Sequence, residues 1–191
     1  ITREQQDEYA NTSHHKAVKA QEEGYFANEI LPIIAGKNLD KIIDKDIGPR
    51  GASTVEGLAK MRPYFDKKAG TVTVGNSCPI TDGGSAMLLA SKEAVEQYSL
   101  EPMGRIVDYH FHGLEPERMG MGPLMAMDGI FRRTNHKLED MNLIEINEAF
   151  AAQVLAVKMA FTQKAVADRF GIETLWGEIP DERLNVNGGA I

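Results

Sequence analysis

The chain has 191 residues, 42% of them hydrophobic and 26% charged, which suits one large or two small globular domains. No apolar run approaches the roughly 20 residues that a membrane span needs. A net charge of −7 without a basic block argues against nucleic acid or an anionic membrane surface as partner, and the single cysteine, Cys78, excludes an internal disulfide and fits a reducing compartment.

Thr2-Arg-Glu-Gln5 fits a capping box and predicts a long, weakly amphipathic helix ending near Gly24. His14 and His15 lie on it about 100° apart, so they make no chelating pair and read as surface histidines. Phe26 to Ile34 is apolar around Pro32, which suggests an edge strand or an extended segment. Lys37 to Asp46 reads as a solvated connection, and Gly48-Pro-Arg-Gly51 as a turn. Ser53-Thr-Val-Glu56 is a second capping box, opening a short helix that runs to Pro63.

Thr71-Val-Thr-Val74 alternates like a strand, Asn76 to Asp82 form a loop, and Ser85 to Ala90 reads as a buried strand. Ser91 caps a helix from Lys92 to about Tyr98. Gly104 to Gly113 reads as a strand that carries Asp108, His110 and His112 on one face. That trio could bind a metal in principle, but the solvated face of a half-buried strand is the plainer reading, and no metal is assigned. Pro123 suits the first turn of a helix from Leu124 to about Thr134.

In Leu143-Ile-Glu-Ile-Asn-Glu-Ala-Phe150 a strand gives way to a helical run that continues to about Phe170 and stops at Gly171. Phe150, Val154, Leu155, Met159 and Phe161 form its core stripe. Asn147 falls where the amide side chain would cap the first turn, at the carboxyl end of a strand, where α/β sheets bind ligands. On spacing alone Asn147 is an N-cap. Leu175 to Arg183 reads as a surface loop.

Three strings go further. Asn147-Glu-Ala-Phe-Ala-Ala-Gln153 resembles the NEAFA signature of thiolases, and Asn185-Val-Asn-Gly-Gly-Ala-Ile191 resembles the opening of their NxNGGAIALGHPxG motif. Gly70-Thr-Val-Thr-Val-Gly-Asn-Ser-Cys-Pro-Ile-Thr-Asp-Gly-Gly84 resembles GTVTAGNxSxxxDGA. The resemblance covers the whole chain but not a whole thiolase. It implies an incomplete α/β thiolase-like fold: the C-terminal part of a coenzyme A-covering loop domain over 1–80, the end of the N-terminal half over 81–102, and the first part of the C-terminal half over 103–191. Alternation of helices and strands after Ser91 supports an α/β class independently.

The implied chemistry is acyl transfer between coenzyme A thioesters. A cysteine thiolate attacks a 3-oxoacyl-CoA, acetyl-CoA leaves, and CoA takes the acyl group; the reverse is a Claisen condensation. The resemblance gives Asn147 the task of holding a water in an oxyanion hole. It places Arg50 near the CoA phosphates, Phe65 against the pantetheine–adenine end, and Met119 at the acyl pocket. Val74, Cys78, Ala149 and Phe150 join them as CoA- or substrate-binding residues. Arg50 reads equally well as a solvated turn residue. Family members usually carry Ser at the position of Cys78, and a thiol is the weaker hydrogen-bonding partner. The nucleophilic cysteine, the GHP histidine and the CxG base of thiolases have no counterpart between Ile1 and Ile191, so the expectation is an internal piece of an enzyme, inactive alone. CoA enters as substrate, with no further cofactor. The expected assembly is a homodimer or homotetramer, possibly with other fatty-acid oxidation subunits, in the cytoplasm or an organellar matrix. A non-catalytic CoA-binding or interaction segment, or a ketoacyl-synthase relative, is the alternative.

Overall fold

Residues 1–191 are described by a computed structural model. The longest helix, α1 (Arg3–Glu22), starts on the predicted capping box: the Thr2 hydroxyl accepts from the Gln5 amide at 3.1 Å, and the Gln5 side chain accepts from the Thr2 amide at 2.8 Å. Its buried face is built from small and polar residues: Gln6, Asp7, Ala10, Ser13, His14, Ala17 and Ala20. His14 is therefore buried rather than a surface residue, whereas His15 is exposed and reaches the Ser53 carbonyl.

A hairpin follows, β1 (Ile33–Ala35) antiparallel to β2 (Lys41–Ile43). The expected solvated connection thus contains a strand, because Ile42 and Ile43 pair with Ile34 and Ile33. The short helix α2 (Val55–Ala59) is capped by Thr54, not Ser53, through a bond from the Gly57 amide. It packs on α1, where the Arg3 guanidinium donates to the Leu58 and Met61 carbonyls at 2.6 and 3.0 Å.

The second body is helical. Ser91 caps α3 (Lys92–Gln97), and Pro123 lies in the first turn of α4 (Gly122–Thr134). Helix α5 (Ala151–Thr162) runs through the centre, with Val154, Val157, Ala160 and Phe161 fully buried. The expected long helix breaks at Gln163, where φ −111° and ψ 107° leave the helical region; α6 (Lys164–Ala167) and a 3-10 turn then end at Gly171 with φ 68°. Around α5 close Leu124, Phe131, Leu138, Ile144, Ile146, Ile172, Ile179 and Leu184. The 175–183 stretch is partly core, since Ile179 is buried and Trp176 lies 5.1 Å from the Phe131 ring and donates to Asp128.

The predicted strands are the principal difference. Thr71–Val74, Ser85–Ala90 and Gly104–Gly113 run without a ladder, and Met87, Leu88, Ile106, Val107 and Phe111 are exposed. A strand needs a partner for its backbone N–H and C=O groups. No segment of these residues pairs with the last two stretches; outside the β1–β2 hairpin only single bridges form, Ser77 with Phe150 and Ile144 with Leu184. Asp108 instead forms an ion pair with Arg133 at 2.7 Å, and the His110 and His112 rings lie 6.1 Å apart.

Candidate functional site

The three motif strings converge on α1. From 70–78, the Asn76 amide is the link. Its Oδ1 accepts from the Thr73 amide at 2.8 Å, and its Nδ2 donates to Asp7 on α1 at 2.9 Å and to the Thr71 carbonyl at 3.1 Å. Asp7 is fully buried and balanced by Arg3 at 2.7 Å. A buried carboxylate is tolerable only when paired and hydrogen-bonded, and both conditions hold here.

From 185–191, the Asn185 side chain grips Ile146 by both backbone groups. Its Oδ1 accepts from the Ile146 amide at 2.8 Å, and its Nδ2 donates to the Ile146 carbonyl at 2.9 Å and to Glu148 at 2.8 Å. Asn185 itself sits at φ 43°, in the left-handed region that Asn tolerates better than most side chains.

Between them lies 147–150. Glu148 is 1% exposed and receives Tyr9 Oη at 2.8 Å, Ser13 Oγ at 2.6 Å and the Ile191 amide at 3.4 Å as well as Asn185. Burial, and then the Glu148 charge, drive the Tyr9 phenol well above its ordinary range. Asn147, by contrast, is exposed. It is not the helix cap. Phe150 occupies that position without a side-chain bond, and the Ala151 amide is satisfied by the Asn76 carbonyl at 3.0 Å.

Around Asn147 the structure brings together most of the residues expected from sequence. The Cys78 amide donates to the Ala149 carbonyl at 3.1 Å, Ser77 bridges Phe150, and the Phe65 ring meets Phe150 edge-on at 6.2 Å. Phe65 and Cys78 are exposed along this edge, and Val74 is exposed as well. Met119 is also exposed, and its neighbour Gly120 rests against the Gln153 side chain in the first turn of α5. Arg50 lies elsewhere, beside α1: Gly51 packs on Val18, and the Arg50 charge helps hold the His14 pKa below its usual value. A groove of about 590 Å³ lined by His112, Arg118, Met125 and Phe170 includes none of the motif residues.

Glu148, Asn185, Asn76, Asp7, Tyr9 and Ser13 were not singled out by sequence reasoning as holding the site. The first three lie inside the motifs. The last three lie on α1 among small and polar residues, which give that helix too weak an apolar face for its buried side to stand out.

The chain as a whole is similar to known proteins. The family descriptions "Thiolase, N-terminal domain" and "Thiolase, C-terminal domain" match residues 1–93 and 100–191. A probable acetyl-CoA acyltransferase of Staphylococcus aureus is 38% identical over all of this chain and 45% of its own length. The crystal structure of human mitochondrial 3-ketoacyl-CoA thiolase in complex with CoA superimposes with a TM-score of 0.83 at 36% identity, covering 100% of this chain and 43% of that one. The dimeric peroxisomal thiolase of Saccharomyces cerevisiae gives a TM-score of 0.83 at 38% identity, covering 100% and 44%. The chain therefore spans less than half the length of the relatives it matches.

Proposed function

The chain belongs to the thiolase family, and from that premise we propose that it supplies the CoA-facing and oxyanion-stabilising part of an enzyme that transfers acyl groups between coenzyme A thioesters. The fold is an incomplete thiolase-like α/β fold. The reaction is cleavage of a 3-oxoacyl-CoA by CoA into acyl-CoA and acetyl-CoA, or the reverse condensation. The attacking cysteine and the two proton-transfer groups are to be supplied from outside these residues.

One observation carries this reading. Asn147 is the exposed residue between two anchored ones, Ile146 held by the Asn185 amide and Glu148 held by α1. A donor that stabilises developing oxyanion charge must be fixed before the reaction begins. An amide suits the task because it is neutral and donates through its NH2 group, directly or by way of a water. Phe65, Val74, Cys78, Ala149 and Phe150 are assigned to a pantetheine chain and Met119 to the acyl end, while Arg50, set apart beside α1, is assigned to the phosphates by the family resemblance alone.

Homodimeric or tetrameric assembly, association with other fatty-acid oxidation subunits, and a cytoplasmic or organellar-matrix location belong to the same proposal. No helix is long and apolar enough to cross a membrane. The non-catalytic alternative, a CoA-binding segment, differs in one respect: it needs Phe65 and Phe150 but not Asn147. Calorimetric titration of CoA into the chain tests the binding half. Phe65→Ala should weaken binding by about tenfold, as loss of a stacked aromatic worth about 1.4 kcal/mol would. Unchanged binding would remove the 65/150 edge from the site.

A further inference from the structure

Glu148 has a place in the fold that an ordinary buried carboxylate would not need. Four donors from two stretches distant in the chain point at its two oxygens: Tyr9 and Ser13 from α1, and Asn185 and the Ile191 amide from 185–191. Ser13 is itself bonded by the Gly189 amide at 3.1 Å, which closes a ring through the 188–191 turn. That turn has no room for a side chain. A Cβ on Gly189 would collide with the Glu148 carboxyl, and one on Gly188 with the backbone of α1.

Asn147 makes no side-chain hydrogen bond of its own. Its direction is set by its neighbours: Ile146 is fixed by Asn185, and Glu148 by α1 and Asn185, and Asn185 joins the two fixed points. From this ring, and resting on the oxyanion reading above, we infer that Glu148 is a positioning residue for Asn147, locking the 146–148 backbone so that the amide is aimed before substrate arrives. A displacement of about 1 Å in a reacting group can cost about 10²-fold in rate. The rigidity of Glu148 therefore enters kcat although its carboxyl faces the protein interior.

Two measurements test this. The first is amide hydrogen exchange in the chain itself. Glu148→Gln keeps the volume but turns one acceptor into a donor, which faces the Asn185 amide or the Ile191 N–H. Exchange at Ile146 and Ile191 should rise about tenfold or more, while Val154 and Phe161 in the α5 core stay protected. Unchanged exchange at Ile146 and Ile191 overturns the inference. The second is steady-state kinetics in a full-length thiolase carrying this segment. Glu148→Gln should lower kcat about tenfold and Glu148→Ala about a hundredfold, with KM within about threefold of the parent. Tyr9→Phe combined with Glu148→Gln should cost less than the sum of the two, since both act through one network. If Asn147→Ala lowers kcat and Glu148→Gln leaves it intact, the positioning role is refuted. If exchange rises as expected but Asn147→Ala leaves kcat untouched, the ring holds 146–148 as inferred and the oxyanion reading is what fails.

Discussion

The Asn76 carbonyl accepts the Ala151 amide at 3.0 Å, so the turn of one motif caps the helix that opens from another. The first amides of a helix have no partner within it. Here one of them is met by backbone from 70–78, so the Asn147 side chain has no capping duty. Asn76 also ties Thr73, Thr71 and Asp7 together from a buried position. Asn76→Ala would leave the Asp7 carboxylate and the Thr73 amide short of a partner. Urea unfolding should show a loss of about 1–3 kcal/mol, the cost of buried polar groups left unsatisfied. A loss below about 0.5 kcal/mol, the range of a surface substitution, would mean water replaces the amide freely.

His14 gives a pH dependence. Its folded pKa is lowered from 6.5, first by burial and then by the Arg50 and His15 charges, with Glu148 opposing. The unfolded chain takes up the proton first as pH falls, so stability present above about pH 6.5 is lost on acidification towards the folded value. Glu145, raised by burial and then by Glu148, acts in the opposite sense from pH 4.5 upward. The informative quantity is therefore the difference between the chain and His14→Gln. Between pH 7 and 5 the parent should lose stability more steeply, by at most about 1.4 kcal/mol per pH unit. Parallel curves would remove His14 as the cause.

The exposed apolar stretches predict association. Ile80, Met87, Leu88 and Met103 are more than four-fifths exposed, and Ile106, Val107, Tyr109 and Phe111 follow. Apolar surface in water forgoes about 25 cal/mol per Å², so a few hundred Å² amounts to several kcal/mol. Sedimentation of the purified chain should show oligomers that dissociate on dilution, and thermal scans should show a broad transition. A monodisperse monomer with one sharp reversible transition would contradict this.

Cys78 is exposed, and its one recorded bond is through the backbone, to Ala149. It is followed by Pro79, and its thiol has no side-chain partner to act as the base that activates a nucleophilic cysteine. Thiolysis of acetoacetyl-CoA by the 191-residue chain should therefore not rise above buffer. Turnover that disappears in Cys78→Ala would make Cys78 the nucleophile.

Several helix starts set by local contacts were legible, as with Thr2 and Gln5, Ser91, and Pro123, whereas the cap of α2 is Thr54, one residue beyond the expected Ser53. Two of the motif strings meet in space, where the Cys78 amide bonds the Ala149 carbonyl. What sequence could not disclose depends on partners distant in the chain. Ser85–Ala90 has strand propensity, yet propensity forms no ladder without a second strand. His14 reads as a surface residue because its neighbours on α1 are polar, although that polar face is the one buried against 58, 76 and 148. Asn147 reads as a cap because capping is the commonest use of Asn there. The helix instead begins at Ala151 with Phe150 in the cap position, three residues beyond Asn147.

The central claim is that Asn147 presents a preorganised donor to charge developing in acyl transfer. Steady-state kinetics of Asn147→Ala in a full-length thiolase carrying this segment tests it most directly. Loss of the donor should lower kcat by about 10²–10³ and lower kcat/KM equally, leaving KM near its parent value. A change confined to KM, or none at all, would contradict the claim and leave Asn147 a binding or structural residue.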